Sequence, residues 1–438
     1  MKCWKIVYAA LVCIVLAAPI LLMPFAQTDS AEKRKLSEFP DHVTENGVNL
    51  EFTSEVDTWL SEHFPFRSQL ISLNNYWKAA VFQTSDEDQV VVGKDGWLFF
   101  AETLPDYLGN NRFSDVTLKR ILTTVSLMEE YVRENDADFV FTVAPNKNTV
   151  YPQYMPDRYK KIQEKTNLQR LTDALQDTAY YTNLSAAFDM SQQVYQKRDS
   201  HWNAFGALCG YRALMRTANR DASLFDNVSH HIENTWRGDL DDMIFPALNI
   251  LDEQVVYDLD WSYTFTSNYH TEEDIRISTE NPRGDGSLFM FRDSFANALL
   301  PFMAQTFETA VFSRETPYNL CEAVQYDTVV LEIVERNLQN LLKTAPVMPA
   351  PERTAQDVKT AADVSVMTRK TADFLQVYGT IKDETDTVYL RLENGEDIVT
   401  VQAFPIYEQQ LLGDTAKNGF SAYVPLQYEG YTVSVLVK

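Results

Sequence analysis

The chain has 438 residues, 45% of them apolar, with 25 Phe, 22 Tyr and 7 Trp. That is ample material for a large core, so disorder as the main state is excluded. The formal net charge is −24; so acidic a surface repels phosphate backbones and excludes nucleic acid as a general partner.

Lys2 and Lys5 precede an uncharged run of 21 residues, Ile6 to Ala26. About 20 residues of helix cross a bilayer core, whereas the apolar part of a cleaved signal runs to only about 7–15. Pro24-Phe25-Ala26 is also a poor cleavage site. Residues 1–30 are therefore expected to be an uncleaved membrane anchor, with a cleaved signal as the alternative. The bulk of the chain is expected outside the cytoplasm. Lys33, Arg34 and Lys35 follow the run and blur the orientation signal.

From residue 31 to about 113 the pattern predicts amphipathic helices near 54–63 and 68–82. A β-hairpin follows in Val90–Phe100, where apolar runs flank a Gly/Asp turn. Helical spacing of Leu118, Ile121, Leu122, Val125, Met128 and Val132 predicts a helix capped by Ser114 or Asp115. Phe139–Val143 reads as a buried parallel strand. A helix at Leu168–Leu175, a strand near 179–182 and a helix from Ala204 to about Thr217 come next. Residues from about 220 to 286 are polar and irregular, and read as an insertion over the site. Leu288–Phe291 reads as a strand, Arg292-Asp293-Ser294 as a turn, and Phe295–Phe307 as a helix. Strands at 310–312 and 328–334 and a helix at 335–342 complete the alternation. This pattern predicts an α/β unit over 31–344, a parallel sheet flanked by helices. Residues 345–357 read as a Pro/Ala linker, and 358–438 as a small all-β sandwich of short alternating strands.

Four cysteines occur. Cys3 and Cys13 lie in or beside the apolar run. Cys209 and Cys321 could pair, but sparse cysteines with apolar flanks are more often buried thiols. No set of Cys and His has zinc spacing, and neither a metal nor a cofactor is expected.

Chemistry concentrates in two places. A strand, a sharp turn and a helix put Ser294 above a sheet edge, with its N–H directed to where an attacked acyl group would lie. Taken alone, Ser294 reads first as a helix cap. Its hydroxyl needs a base. Asp199-Ser200-His201 offers one, because imidazole titrates near neutrality and a carboxylate two residues away can orient it. Only six His occur, at 42, 63, 201, 230, 231 and 270, so His201 has few rivals. Asn146, at a strand end, is a candidate second oxyanion donor. Arg292, Lys147, Trp202 and Arg336 are candidates for substrate contact.

The segment KRDSHWNAFGALCGYRAL resembles the Asp-x-His-Trp segment of the DHHW family and of the alginate O-acetylation proteins of the AlgJ/AlgX type. FMFRDSFANALLPFMAQTF resembles their nucleophile segment. VVVGKDGWLFF, APNKNTVYPQYMP, WRGDLDDM and LEIVERNL fall in the same order. The resemblance spans roughly residues 35–343. It implies an SGNH-hydrolase-like fold with Ser294 as nucleophile, His201 as base and Asp199 as its orienting acid, the Asp-His pair preceding the serine. Arg292 stands where that group commonly has Gly, which puts the oxyanion hole in question. The resemblance further implies O-acetyl transfer to an exported polysaccharide, with a multispanning membrane O-acyltransferase supplying the acyl group. A carbohydrate O-acetyl esterase and a non-catalytic glycan-binding protein are the alternatives.

Overall fold

The computed structural model describes residues 2–22, 37–44, 47–382, 385–407, 412 and 418–438. The end of the apolar run at Pro24–Ala26 and the Lys33–Lys35 cluster lie outside them. Helix α1 (Lys2–Leu22) leaves Trp4, Ile6, Tyr8, Leu11 and Ile14 exposed. No helix among the described residues is long and apolar enough to cross a membrane.

Helices α2 (Phe52–Glu62) and α3 (Arg67–Phe82) fall where the pattern places them. The orientation of α3 is inverted. It buries Ser68, Ser72 and Asn75, and it exposes Leu70, Leu73, Trp77 and Val81. Specific polar contacts hold this inward face. Asn75 Nδ2 donates to the Ile244 carbonyl at 2.9 Å, and Ser72 Oγ accepts from the Ala247 N–H at 2.9 Å.

The hairpin β1 (Val90–Val92) and β2 (Leu98–Phe100) is present. Helix α4 (Asp115–Glu134) starts at Ser114, whose hydroxyl accepts from the Thr117 N–H. Then follow β3 (Asp138–Ala144), α5 (Asn167–Leu175), β4 (Tyr181–Thr182) and α6 (Ala204–Thr217). The segment read as an irregular insertion is partly ordered. It holds a hairpin of β5 (His230–Trp236) and β6 (Asp252–Tyr257), with α7 (Asp239–Ile244) between them. Its end, β7 (Arg276–Glu280), is a strand of the central sheet. Beyond it lie β8 (Ser287–Phe291), α8 (Leu300–Thr306), β9 (Thr309–Ser313) and β10 (Thr328–Val334).

The central sheet runs in the order β4-β3-β10-β8-β9-β7, with Thr264–Phe265 at its edge. The first five strands are parallel, and β7 closes the sheet antiparallel to β9. Alternate residues feed two cores, as the two-residue period of a strand requires. Val140, Leu288, Met290 and Val330 face α6 and α8; Phe139, Phe141, Phe289 and Leu331 face α4 and α5.

The C-terminal strands are β11 (Val364–Lys370), β12 (Phe374–Ile381), β13 (Val388–Asn394), β14 (Asp397–Ile406), β15 (Gly419–Pro425) and β16 (Thr432–Val437). They form one antiparallel sheet rather than two separate faces. Strand β14 pairs with β13 along Asp397–Ala403 and with β15 along Phe404–Ile406, so the sheet bends along it into a half-barrel. Val377, Leu390 and Phe420 fill the inside.

The stretch 345–357, expected as a linker, is a docked strap. Its Val347 N–H donates to Tyr318, Ala350 to Tyr423 and Arg353 to Thr400, while Pro351 accepts from Gln402. Phe404, Ile406 and Tyr423 belong to the same buried cluster as Ile121 and Phe139, so the half-barrel completes the outer face of the central sheet. Cys209 is buried and Cys321 half-buried, both as free thiols.

Candidate active site

Ser294 follows β8, the strand between β9 and β10, at the carboxyl edge of the parallel strands. Ligands bind at this edge in open α/β sheets. Asp293 builds the turn: its Oδ1 accepts from the Phe295 N–H at 2.9 Å, and its Oδ2 from the Val334 N–H at 2.7 Å. Its own N–H donates to Glu332 Oε2 at 3.0 Å. Burial pushes the Glu332 carboxyl well up, and the Asp293 charge adds to this. The helix expected over 295–307 is split. One 3-10 turn covers Phe295–Asn297, and α8 starts afresh with Pro301 in its first turn. A proline lacks the N–H that a continuous helix needs there. The Ser294 N–H has no partner among the described residues and remains open to an oxyanion.

The Asp199–His201 segment sits in a tight loop before α6. The loop closes through Gln196 N–H to the His201 carbonyl (3.1 Å) and Asn203 N–H to the Val194 carbonyl (3.0 Å). Asn203 then caps α6 by accepting from the Gly206 N–H. Lys147 holds the loop from inside. It is buried, and its Nζ donates to the carbonyls of Gln196, Lys197 and Asp199 at 2.7–3.0 Å. Burial lowers its pKa to about 7, with nearby aspartates opposing. Lys147 is thus a brace of the Asp199–His201 loop, with its donors spent there and not on the substrate contact that the sequence suggested. The hairpin tryptophan is part of this brace, since Lys147 Nζ lies 5.3 Å from the Trp97 ring centre.

The three residues meet. His201 Nε2 lies 2.8 Å from Ser294 Oγ, and Nδ1 lies 2.8 Å from Asp199 Oδ1. Asp199 Oδ1 also accepts the His201 N–H; its Oδ2 accepts Trp236 Nε1–H and the Asp239 N–H, both at 3.1 Å. Burial opposes ionisation of Asp199, but the His201 bond and charge and these N–H groups outweigh it and hold the pKa at about 2. Burial likewise opposes the imidazolium, and Asp199, with Asp239 behind it, reverses this and raises His201 above its usual value. Trp202 fastens the loop to the serine turn: its Nε1 donates to the Phe295 carbonyl at 2.8 Å.

The remaining candidates divide. Asn146 is fully buried, and its Nδ2 donates to Asp106 at 3.2 Å, so it is not an open oxyanion donor. Arg292 lines a cleft beside Ser294, but its donors go to neutral protein acceptors. Its guanidinium holds the Glu272 and Asp274 carbonyls and Asn297 Oδ1, tying the 272–274 loop to the serine turn. Arg336 is half-buried, 5.6 Å from the Phe295 ring centre, and its charge acts on His201.

Sequence reasoning missed Trp236, Asp239 and Ser200. Trp236 and Asp239 lie in WRGDLDDM, a segment with no assigned role, and reach Asp199 across about forty positions. The crossing is close at Gly238, where a Cβ would stand 2.1 Å from the Arg198 carbonyl oxygen, so only glycine fits. Asp199, His201 and Asp239 are the one group of potential metal donors among the described residues. Both Asp199 oxygens are already filled by N–H donors, which leaves the group little room to hold a cation.

Two clefts open on Ser294. One, of 520 Å³, has aromatic walls that include Trp236, Tyr257, Trp261 and Phe302. The other, of 400 Å³, is polar, with Arg314, Asn337, Asn340 and Lys343.

Behind the site, Glu335 accepts from the Asn146 N–H (2.8 Å) and Thr149 Oγ1 (2.7 Å). Burial, with Asp106 beside it, lifts its pKa from 4.5 to about 7. A carboxyl that holds its proton more tightly when folded contributes stability at low pH and loses it as pH climbs from about 4.5 through 7. Glu335→Gln keeps an oxygen for both donors. It is expected to be neutral at pH 5 and to stabilise by roughly 2–3 kcal/mol at pH 8. Urea unfolding at the two pH values checks this, and equal effects at both would refute it.

Comparison with known proteins adds the kind of domain. Residues 90–243 match the family model described as the SGNH hydrolase-like domain of the acetyltransferase AlgX. The chain is 24% identical over 183 residues to a probable alginate O-acetylase AlgJ of Pseudomonas putida. That alignment covers 40% of this chain and 46% of the relative, so the chain spans about half the length of the curated protein it matches. Among solved structures, PatB1 of Bacillus cereus aligns with a TM-score of 0.44 at 16% identity, over 57% of this chain and 96% of that one. A DHHW family protein of Eubacterium siraeum gives 0.43 at 16% identity, over 60% and 96%. The AlgX-like match takes in β1 to α7, and thus Asp199, His201 and Asp239; Ser294 lies beyond it.

Proposed function

We propose that this chain is an extracytoplasmic serine O-acetyltransferase acting on an exported or cell-surface polysaccharide. The observation that carries the reading is the chain of two 2.8 Å contacts from Ser294 through His201 to Asp199, at the mouth of open clefts. The AlgX-like domain and the AlgJ relative support acetyl as the group and a glycan as the acceptor. Residues 31–344 form the catalytic unit and 358–438 an accessory one. A multispanning membrane O-acyltransferase would present the acyl group. The N-terminal run would keep the domain near it, an assignment that rests on Ile6–Ala26, whose last four residues lie outside the described ones.

The proposed steps use the contacts described above. His201 Nε2 takes the Ser294 proton as Oγ attacks the acyl carbon. The Ser294 N–H faces the developing oxyanion. The carbonyl re-forms, the bond to the donor oxygen breaks, and His201 returns the proton to that oxygen. A sugar hydroxyl then gives its proton to His201 and attacks acetyl-Ser294. The ester to Oγ breaks, and Ser294 recovers its proton. Asp199 stays ionised and keeps the Nδ1 proton in place through both halves.

The test gives the full chain p-nitrophenyl acetate with and without an oligosaccharide acceptor. Mass spectrometry should find acetyl on Ser294, and acetylated sugar should appear. Acetate release indifferent to every acceptor would assign an esterase instead, and an unmodified Ser294 under turnover would refute the mechanism.

A further inference from the structure

Asp239 is not one of the three residues used above, yet it is interlocked with all of the acid–base loop. Its Oδ1 accepts the Ser200 N–H at 2.8 Å, and its Oδ2 accepts the Ser200 hydroxyl at 2.5 Å. Its own N–H goes to Asp199 Oδ2, so the two aspartates pin each other's loops. A serine hydroxyl has one proton, and Ser200 gives it to Asp239. Its lone pairs therefore face outward, and His201 Nδ1 lies 3.2 Å from them. The Nδ1 proton has two acceptors, Asp199 Oδ1 directly and Ser200 Oγ with Asp239 behind it. Asp239 Oδ2 itself stands 3.8 Å from Nδ1, too far for a direct hydrogen bond.

We infer that Asp239 is a second acid of the catalytic base, a positioning residue that acts on His201 through the Ser200 hydroxyl and stabilises the imidazolium formed at each proton transfer. The inference rests on the nucleophilic mechanism proposed above. No proton leaves Asp239 in the cycle; it orients a hydroxyl and supplies charge. Four charged groups face the imidazole. Asp199 and Asp239 favour its protonated form, Arg336 opposes it, and Glu273 lies at the cleft wall, where it feels the imidazolium. Removing the Asp239 charge leaves Asp199 with less help against Arg336 and burial.

The sign of the pH effect follows. Activity needs neutral imidazole, so kcat/KM falls as pH drops through the His201 pKa. Asp239→Asn lowers that pKa and should move the acid limb for p-nitrophenyl acetate to lower pH. The same change destabilises the imidazolium, so kcat should fall roughly tenfold with KM within about twofold. The amide of the Asp239→Asn variant still offers an oxygen to the Ser200 N–H, so the loop retains that anchor. Ser200→Ala removes the relay hydroxyl without touching a main-chain bond and should shift the limb the same way. Ser200→Thr, which keeps a hydroxyl, should restore both limb and rate. The double variant Ser200→Ala with Asp239→Asn should be no worse than the poorer single one, because both break one relay. An acid limb unmoved in both single variants, or additive losses in the double, would overturn the role of Asp239 while acetyl-Ser294 still forms in the wild type. A wild type that never forms acetyl-Ser294 would remove the mechanism and this inference together.

Discussion

Ser294→Ala should abolish acetyl-enzyme formation and cut turnover of an activated acetyl ester by about 10⁴-fold or more, the scale lost when a triad nucleophile is removed. The fold should survive. Ser294 is half-buried, and among the described residues its side chain hydrogen-bonds to His201 alone. The turn is built by Asp293, whose carboxylate holds the Phe295 and Val334 N–H groups and is untouched by the change. The melting temperature should therefore stay within about 2 °C of wild type. His201→Ala should lose a similar factor, and the pair together little more, because neither residue works without the other. Ester turnover in Ser294→Ala close to that of wild type would refute the nucleophile assignment outright.

The second large effect is on stability. Arg120, on α4, is 2% exposed, and among the described residues its guanidinium hydrogen-bonds to C-terminal partners. Nε donates to the Thr385 carbonyl at 2.7 Å, one Nη to Tyr407 Oη at 2.9 Å and the other to Asn418 Oδ1 at 3.2 Å. Its charge also lies 5.7 Å from the Tyr407 ring centre. Arg120→Ala leaves the buried Thr385 carbonyl and the half-buried Tyr407 and Asn418 oxygens without this donor and opens a cavity between α4 and the half-barrel. The expected cost is about 3–5 kcal/mol, read as a shift in the urea midpoint. Arg120→Lys should recover only part of it, since an ammonium cannot span three separated acceptors in a planar fork. A cost below about 1 kcal/mol for the alanine variant would show that the contact is not what joins the two parts.

Much of the fold was legible because periodicity reports burial. The spacing that predicts a helix from Ala204 to Thr217 gives its observed bounds, and the apolar runs at Phe139, Leu288 and Val329 are central strands. Three failures have physical causes. Pro301 in the first turn of α8 marks a fresh start, but the apolar pattern continues through it and hides the break. The strap at 345–357 has linker composition, and its order comes from main-chain bonds to distant strands, which leave no trace in side-chain type. The two-sheet reading of the C-terminus missed that one ten-residue strand, β14, serves both ladders.

Around the serine the same division holds. Asp199 and His201 were legible because they are neighbours in sequence, and Ser294 because a strand, a turn and a resemblance met there. Asp239 and Trp236 act on Asp199 across about forty residues, and Lys147 across about fifty. Polar pairings at that range follow from how the chain crosses at Gly238 and from what the buried loop encloses. Neither can be read from local pattern. Lys147 and Asn146 looked like site residues because they end a strand. They are instead among the buried supports beneath it.

The half-barrel's place against the central sheet also sets a timetable. Phe139 and Ile121 share their buried cluster with Phe404, Ile406 and Tyr423, nearly three hundred positions later. While the protein is being made, every residue of the acid–base loop and the serine turn has emerged before the last wall of that cluster exists. The part of the outer face of β3 which α4 and α5 leave uncovered stays wet until the chain is almost finished, and contacts of such long sequence separation form late and slowly. A ribosome stalled after β10 would thus hold a chain with all three residues of the proposed triad and an unsealed core, the condition in which aggregation or proteolysis competes best with folding.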